Sequence, residues 1–187
     1  MEGILNNWKK KQDTEKPLLV VINTSGGGHR SATFTMSVLQ SLDSLTKGGI
    51  MKKTFLITGA SGGMIGATYF RELFLRRQQG QNISLQDPQY VDDIAGDLLN
   101  PVFTSFFARD LISPAQKFSV GPYRYVKDRG YAFEQKLNSN TRGFLNKQLK
   151  DYVNHEKAAN IPLMFFNSVV SRDGRKMIIS TQPVRFM

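Results

Sequence analysis

One serine lies in a pattern that places a nucleophile on a sharp turn between a strand and a helix. Residues 59–63 read GASGG, which fits G-x-S-x-G with Ser61 at its centre. A serine in such a turn adopts a strained backbone, and Gly59 and Gly63 let the chain pass without side-chain clashes. The amide of Gly62 and the helix N-terminus then favour a developing oxyanion. The pattern therefore predicts an exposed, nucleophilic Ser61.

A second glycine-rich segment precedes this serine in the sequence. Residues 25–30 read SGGGHR, and their three glycines are Gly26, Gly27 and Gly28. Consecutive glycines leave backbone N–H groups unhindered, as an oxyanion hole or a phosphate site requires, and Arg30 adds a positive charge. The segment is not a Walker loop, because it lacks the Gly-Lys-Ser/Thr ending. Considered alone, it also fits a simple strand-to-helix turn that needs positive φ.

Each glycine-rich segment follows a predicted strand and precedes a predicted helix. The apolar run Leu18–Ile22 predicts a strand buried on both faces of a parallel sheet, and Thr54–Thr58 predicts the next strand. Helical spacing of apolar residues predicts one helix over Ser31–Thr46 and another that ends near Arg77. Those residues are Phe34, Val38, Leu42 and Leu45 in the first helix, and Ile65, Tyr69 and Leu73 in the second. The alternation predicts an α/β fold with a mostly parallel sheet.

The rest of the chain is predicted to contain short helices and then a hairpin. Between residues 78 and 160 the sequence predicts helices broken by prolines, with one near Thr141–Tyr152, forming either a cap over a site or surface wrapping. Strands are predicted at Pro162–Val170 and Lys176–Thr181. Asp173-Gly174 between these apolar runs is typical of a tight hairpin turn.

Composition excludes several classes of protein. The 187 residues include no cysteine and two histidines, which excludes disulfides, thiolate metal sites and a histidine-rich metal cage. No apolar run approaches the roughly 18 residues of a membrane-spanning helix, and the polar residues 1–16 are not a signal peptide. We therefore expect a cytoplasmic or peripheral membrane protein. The net charge is +10 and residues 101–187 hold 14 Lys/Arg against 6 Asp/Glu, which fits either an anionic partner or a solvated basic face.

Taken together, the two glycine-rich segments resemble those of the patatin-like phospholipases. That family pairs a G-G-G-x-R/K oxyanion loop with a G-x-S-x-G elbow on the next strand, and the resemblance covers Leu18–Arg77. It implies a patatin-like three-layer α/β/α sandwich over residues 17–187, preceded by the polar segment 1–16. It also implies a lipid acyl hydrolase that needs no metal or cofactor. Ser25 stands where an aspartate is usual, which leaves the subfamily open.

The resemblance assigns roles to the residues of both segments. Ser61 would attack an ester carbonyl to give an acyl-enzyme. The amides of Gly27 and Gly28, with Gly26, would bind the oxyanion, and Arg30 would steady the loop or a substrate phosphate.

The family uses an aspartate in a D-G-A or D-G-G motif as its base. Asp173-Gly174 is followed by Arg175 and lies at a predicted hairpin tip, so we interpret it as a turn. The expected aspartate would then lie beyond residue 187, and the chain would be the N-terminal portion of a longer catalytic domain. His29 is a second candidate base, although its position in the loop usually points away from the hole, and His155 is expected on the solvated surface.

Two other functions compete with this one. Residues 58–66 resemble the T-G-x-x-x-G-x-G loop of short-chain dehydrogenases, and Tyr123 with Lys127 fits their Y-x-x-x-K pair. Against that alternative, the last glycine is one residue late and the loop follows the second strand rather than the first.

The third alternative is a basic lipid-binding module without activity. No nucleic-acid motif is present and no nucleic-acid partner is expected, whereas an anionic membrane surface suits a lipid substrate. Phe103, Phe106, Phe107 and Arg109 would then contact lipid, or the phenylalanines would belong to the core.

Overall fold

The computed structural model describes residues 1–111 and 116–184, except for the side chains of residues 109 and 110. The interpretation of Arg109 as a lipid contact therefore lies outside the described side chains. The described residues form eight α-helices and six strands, together with a π-helical turn at Phe106–Leu111 and a 3-10 turn at Leu149–Tyr152. The helices are α1 (Glu2–Lys10), α2 (Gly28–Leu45), α3 (Ile50–Lys53), α4 (Ser61–Gln78), α5 (Gln89–Ala95), α6 (Leu99–Ser105), α7 (Arg129–Asn140) and α8 (Val153–Lys157). The strands are β1 (Val20–Thr24), β2 (Thr54–Gly59), β3 (Lys117–Val120), β4 (Tyr123–Val126), β5 (Leu163–Val169) and β6 (Lys176–Ile179).

The main sheet has the strand order β1-β2-β5-β6. The first three strands are parallel, and β6 runs antiparallel to β5. Thr24 pairs with Gly59, and Gly59 with Phe166, so the carboxyl ends of the three parallel strands meet at one edge. The predicted α/β fold with a mostly parallel sheet is confirmed, as is the hairpin between β5 and β6, where Gly174 has a φ of +73°.

Helices α2 and α4 pack against each other, and α4 also packs against β1 and β2. The contact is close because Gly66 of α4 lies against the backbone of Ala32, where an added Cβ would overlap the carbonyl oxygen. Met36 of α2, Phe70 of α4 and Ile57 of β2 are fully buried at this junction and form the centre of the core. Apolar burial and tight helix contact therefore fix both helices that follow the glycine-rich segments.

The predicted burial of β1 on both faces is wrong. Val20 and Ile22 pack against the core, whereas Val21 on the opposite face is 52% exposed and Leu18, before the strand, is 70% exposed. The strand lies at the edge of the sheet. A strand is buried on both faces only where layers pack on both sides of the sheet, and the side of β1 that carries Val21 is open in the described structure.

Helix α2 buries a different face from the one its apolar residues indicate. Phe34 and Leu45 are 69% and 80% exposed, while Ala32 and the carboxylate-bearing Asp43 are buried. Burial raises the pKa of the Asp43 carboxyl, and the Arg77 guanidinium 4.0 Å away partly opposes that shift. Packing against α4 thus selects a small and partly polar face of α2.

Buried charged side chains connect α4 to the later part of the chain. Arg71, 1% exposed, lies 2.5 Å from a carboxylate oxygen of Glu156 in α8 and donates to the carbonyl of Pro162 at 2.9 Å. Glu72 accepts hydrogen bonds from Lys147 at 2.6 Å and from the Tyr152 hydroxyl at 2.8 Å. These contacts hold the segment before β5 against the helix that begins at Ser61.

The middle of the chain differs from its prediction. A helix near Thr141–Tyr152 was expected, but the chain turns at residues 141–145 and forms a 3-10 turn at Leu149–Tyr152. Arg142 and Gly143 have φ values of +56° and +73°, which a right-handed helix cannot contain. The predicted helix is therefore wrong at this position.

Within residues 1–16, α1 packs on the edge of the sheet where β2 begins. The buried Trp8 donates from its indole N–H to the carbonyl of Lys52 at 3.2 Å and meets the Phe55 ring edge-on. None of the helices in the described residues is both long and apolar enough to cross a bilayer.

Candidate active site

Ser61 lies on a strained turn between β2 and α4. Strand β2 ends at Gly59, Ala60 is extended, and Ser61 has a φ of +56°. This left-handed conformation costs a residue with a side chain roughly 1–2 kcal/mol. Ser61 is exposed at the carboxyl edge of the sheet. The strained backbone conformation therefore places the hydroxyl where solvent can reach it. The structure therefore contains the strand–turn–helix geometry that the GASGG pattern predicts.

The glycines around Ser61 are required by close contact with the first glycine-rich segment. An added Cβ at Gly59 would overlap the Thr24 carbonyl, and one at Gly62 would overlap the Gly28 carbonyl. Such overlaps with backbone cannot be relieved by a rotamer change, because the carbonyls belong to β1 and the first turn of α2. The absence of side chains at these positions thus lets the two segments touch.

The first segment borders the Ser61 side chain directly. A Cβ built on Gly26 would lie 3.3 Å from the Cβ of Ser61 and 3.9 Å from its Oγ. Gly27 and Gly28 have φ values of +154° and +61°, and Ser31 fixes the loop by donating from Oγ to the carbonyl of Ser25 at 2.6 Å. These contacts show that the two glycine-rich segments lie side by side.

Backbone amides without hydrogen-bond acceptors among the described residues lie at this edge of the sheet. Among the described residues, the N–H groups of Gly26 and Gly27 have no hydrogen-bond acceptor. Helices α2 and α4, each 18 residues long, begin here at Gly28 and Ser61, and their first-turn N–H groups carry partial positive charge. The surroundings of the Ser61 hydroxyl therefore favour a negatively charged oxygen.

The two polar side chains of the loop point to different places. Arg30 is exposed in the first turn of α2, and no described carboxylate pairs with it. His29 uses Nε2 to bond the carbonyl of Ile94 at 2.6 Å, which turns the ring toward α5. This contact agrees with the expectation that the variable position of the loop faces away from the hole.

A cleft of about 170 Å³ opens beside Ser61. Its walls are mostly apolar and are formed by Met64, Ile65, Leu137, Leu145 and Phe166. The shape and the apolar walls suit an aliphatic chain. Leu137 and Leu145 come from the end of α7 and the following turn, so part of the segment expected to form either a cap or surface wrapping lines the site. Sequence reasoning did not identify these two residues.

A general base for Ser61 is not present among the described side chains. No described carboxylate or imidazole hydrogen-bonds its Oγ. Asp173 lies in the turn before β6, where the Arg175 guanidinium contacts it at 2.7 Å and lowers the pKa of its carboxyl by hydrogen bonding. Asn167, which lines the cleft, donates to the hydroxyl of Thr58 at 3.1 Å. The predicted turn role of Asp173 is consistent with these contacts.

The residues of the dehydrogenase alternative lie elsewhere. Tyr123 is 66% exposed at the start of β4, and Lys127 follows that strand rather than lying on a helix. The described residues also contain no group of three or more His, Asp or Glu side chains that could hold a metal ion.

No protein-family model, no curated protein and no solved structure matches the chain.

Proposed function

We propose that the protein is a serine-dependent lipid acyl hydrolase, an esterase of the phospholipase A type. The observation that carries the proposal is the left-handed, exposed Ser61 packed against a glycine loop in which the amides of Gly26 and Gly27 have no acceptor among the described residues. The proposal includes a patatin-like three-layer sandwich, in which further helices would cover the sheet face that carries Val21. It requires no metal or cofactor.

In the proposed mechanism the Ser61 Oγ attacks the ester carbonyl carbon, and the carbonyl oxygen becomes an oxyanion. The amides of Gly26, Gly27, Gly28 and Gly62 are the donors assigned to it, each worth about 10²–10³ in rate. The C–O bond to the leaving alcohol breaks, the alcohol takes a proton, and an acyl-enzyme remains on Ser61. Water then attacks the acyl-enzyme, releasing the fatty acid and restoring the hydroxyl.

Substrate groups would occupy the two sides of the serine. The acyl chain fits the apolar cleft beside Leu137 and Leu145, because burial of methylene groups there is favourable. Arg30, unpaired among the described residues, would hold a phosphate of the head group or steady the loop.

The proton of Ser61 needs an acceptor. Since the described side chains supply no such group, we assign this role to an aspartate outside them, as in the family that the two motifs resemble. This assignment predicts low reactivity of Ser61 wherever that aspartate is missing.

Labelling with a fluorophosphonate probe tests the nucleophile. Such probes form a covalent bond with an activated serine that faces an oxyanion hole. The chain, its Ser61→Ala variant and a Ser25→Ala control are compared, because Ser25 is a second exposed serine beside Gly26. Because the described side chains lack the assigned aspartate, we expect slow but measurable labelling of the chain and of the Ser25→Ala variant, and none of the Ser61→Ala variant.

Two results would overturn the proposal. One is equal labelling of the Ser61→Ala variant. The other is absence of labelling in a protein that carries the assigned aspartate. Saturable binding of a nicotinamide cofactor in that second case would favour the dehydrogenase alternative instead.

A further inference from the structure

A stripe of large apolar side chains on α6 and the π-helical turn faces solvent. Its four members are Leu99, Phe103, Phe107 and Leu111, which are 59%, 59%, 59% and 62% exposed. They are spaced four residues apart. The π-helical turn at Phe106–Leu111 winds more slowly than an α-helix, which keeps the last members on the same side as the first. We call this set the apolar stripe.

The hairpin of β3 and β4 carries a second group of exposed apolar side chains. Val120, Tyr123, Tyr125 and Val126 are between 46% and 66% exposed. Two exposed basic residues, Lys117 and Arg124, lie among them. Tyrosines with an apolar ring and a polar tip, mixed with lysine and arginine, are typical of a surface that meets the boundary between lipid and water.

The apolar stripe and the hairpin are attached to the same helix. Helix α6 packs on α7, and the Arg129 guanidinium at the start of α7 lies 5.4 Å from the ring of Phe106. The Phe118 ring of β3 lies 4.6 Å from the ring of Tyr131. The two groups therefore flank the first turn of α7. Leu137, near the other end of the same helix, lines the cleft of Ser61. Leu137 lies six positions after Tyr131 in the helix, about 9 Å along its axis.

The charge of this region favours an anionic partner. Residues 117–136 contain five Lys/Arg and two Asp/Glu. One of the two acids, Asp128, accepts a hydrogen bond from the amide of Tyr131 and so serves as the N-cap of α7. Basic residues beside exposed aromatic rings match a bilayer that contains anionic lipid, since the rings enter the interface while the cations meet the head groups.

We infer that the apolar stripe and the β3–β4 hairpin form a docking surface for an anionic membrane. The inference extends the proposed lipid hydrolase. Membrane binding is argued from the surface itself, and only the delivery of lipid esters to Ser61 rests on the proposed function. A bilayer bound to this surface would lie at the first turn of α7, about 9 Å along the helix axis from Leu137, which borders the cleft. Docking would then bring lipid esters to Ser61 without their leaving the membrane for bulk water.

Sedimentation with vesicles tests the inference. The Ser61→Ala chain is used, so that binding is measured without hydrolysis, with vesicles of phosphatidylcholine alone and of phosphatidylcholine mixed with phosphatidylglycerol. We expect Phe103→Ser with Phe107→Ser to lower the partition coefficient at least about tenfold. The matched control changes Phe34 and Leu45 to serine on α2, where both side chains are as exposed, and should bind as the parent does.

A second pair of variants tests the electrostatic part. Replacing Lys117 and Arg124 by glutamine should weaken binding to the mixed vesicles about fivefold for each charge. The same change at Lys9 and Lys10, exposed on α1, should leave binding nearly unchanged. Added salt should weaken binding of the parent and of the Lys9 and Lys10 control more than binding of the Lys117 and Arg124 variant.

Three results would overturn the docking surface. They are equal loss of binding in the α2 control, absence of vesicle binding by the parent, and a dimer in lipid-free buffer that Phe103→Ser with Phe107→Ser converts to monomer. The third result would assign the apolar stripe to contact between copies of the chain. Fluorophosphonate labelling is measured in lipid-free buffer, so failure of the docking surface and failure of the proposed hydrolase give different results.

Discussion

Replacing Ser61 by glycine and by alanine separates the strain of the turn from the chemistry of its hydroxyl. Both variants lack the nucleophile, so both should lose labelling by a fluorophosphonate. They differ in backbone freedom, because alanine keeps a Cβ at a φ of +56° and glycine does not. The Oγ of Ser61 has no hydrogen-bond partner among the described residues, so its removal alone should change stability little.

The expected difference in stability follows from the geometry. A left-handed residue with a side chain costs roughly 1–2 kcal/mol, which glycine avoids. Glycine loses about 0.5–1 kcal/mol of that gain because its unfolded chain is more flexible. The Ser61→Gly variant should therefore be at least as stable as the Ser61→Ala variant, by up to about 1.5 kcal/mol.

Ser41 provides the matched control. It is an exposed serine inside α2, with an ordinary helical backbone. There the glycine variant should be less stable than the alanine variant by about 1 kcal/mol. Denaturant unfolding is followed by the fluorescence of Trp8, the one tryptophan of the sequence, and by circular dichroism. If glycine is the less stable variant at Ser61 as well, the turn is not left-handed and the argument for a strained nucleophile fails.

Three further predictions concern the site and its support. Gly62→Ala should abolish probe labelling and lower the free energy of unfolding by about 1–3 kcal/mol, because the new Cβ overlaps the carbonyl of Gly28. The free energy of unfolding of Asp43→Asn, minus that of the parent, should increase as pH rises from about 3 to 7. Burial raises the pKa of the Asp43 carboxyl in the folded state, so deprotonation destabilises the parent as pH rises, whereas the neutral asparagine does not titrate. Arg71→Met should cost about 3–5 kcal/mol by leaving the buried Glu156 carboxylate without its cation, and Glu156→Leu added to it should restore most of the loss.

Denaturant unfolding checks all three, with a distinct contradicting result for each. Gly3→Ala is the control for Gly62→Ala, since nothing lies within 4 Å of an added Cβ in α1, and equal effects at both sites would refute the overlap. A stability difference for Asp43→Asn that does not change with pH would refute the raised pKa. A double variant of Arg71 and Glu156 as unstable as the single one would show that packing, and not the unpaired charge, sets the cost.

Local sequence signals predicted the elements that carry Ser61. The apolar runs before residues 25 and 59, the glycines after them and the Asp173-Gly174 turn each determine backbone conformation within a few residues. These signals gave the strands, the two following helices and the hairpin, with shifts at the ends. The nearness of the two glycine segments was implied only by the resemblance, and the structure explains it because parallel strands bring their carboxyl ends to one edge.

Contacts between distant segments could not be predicted in the same way. Phe34 is more apolar than Ala32, yet Ala32 is buried because its small side chain admits Gly66 of α4. The side chain of Leu145 reaches the cleft through a turn at residues 141–145 that depends on α4, more than sixty residues earlier. Arg71 is a charged residue in a helix, and its burial is explained by partners distant in the sequence: Glu156, Pro162 and the ring of Tyr152.

The shared boundary between the two glycine segments also governs how the site can change. A side chain gained at Gly59 or Gly62 collides with the backbone of Thr24 or Gly28, so either segment can vary only after the other has moved. In a library that randomises both segments, surviving variants should therefore show coupled changes. The opposite wall of the cleft, with Leu137 and Leu145, is free of that coupling and can be altered one residue at a time. In the proposed hydrolase, acyl-chain preference can thus diversify on one side of Ser61 while the other side stays fixed.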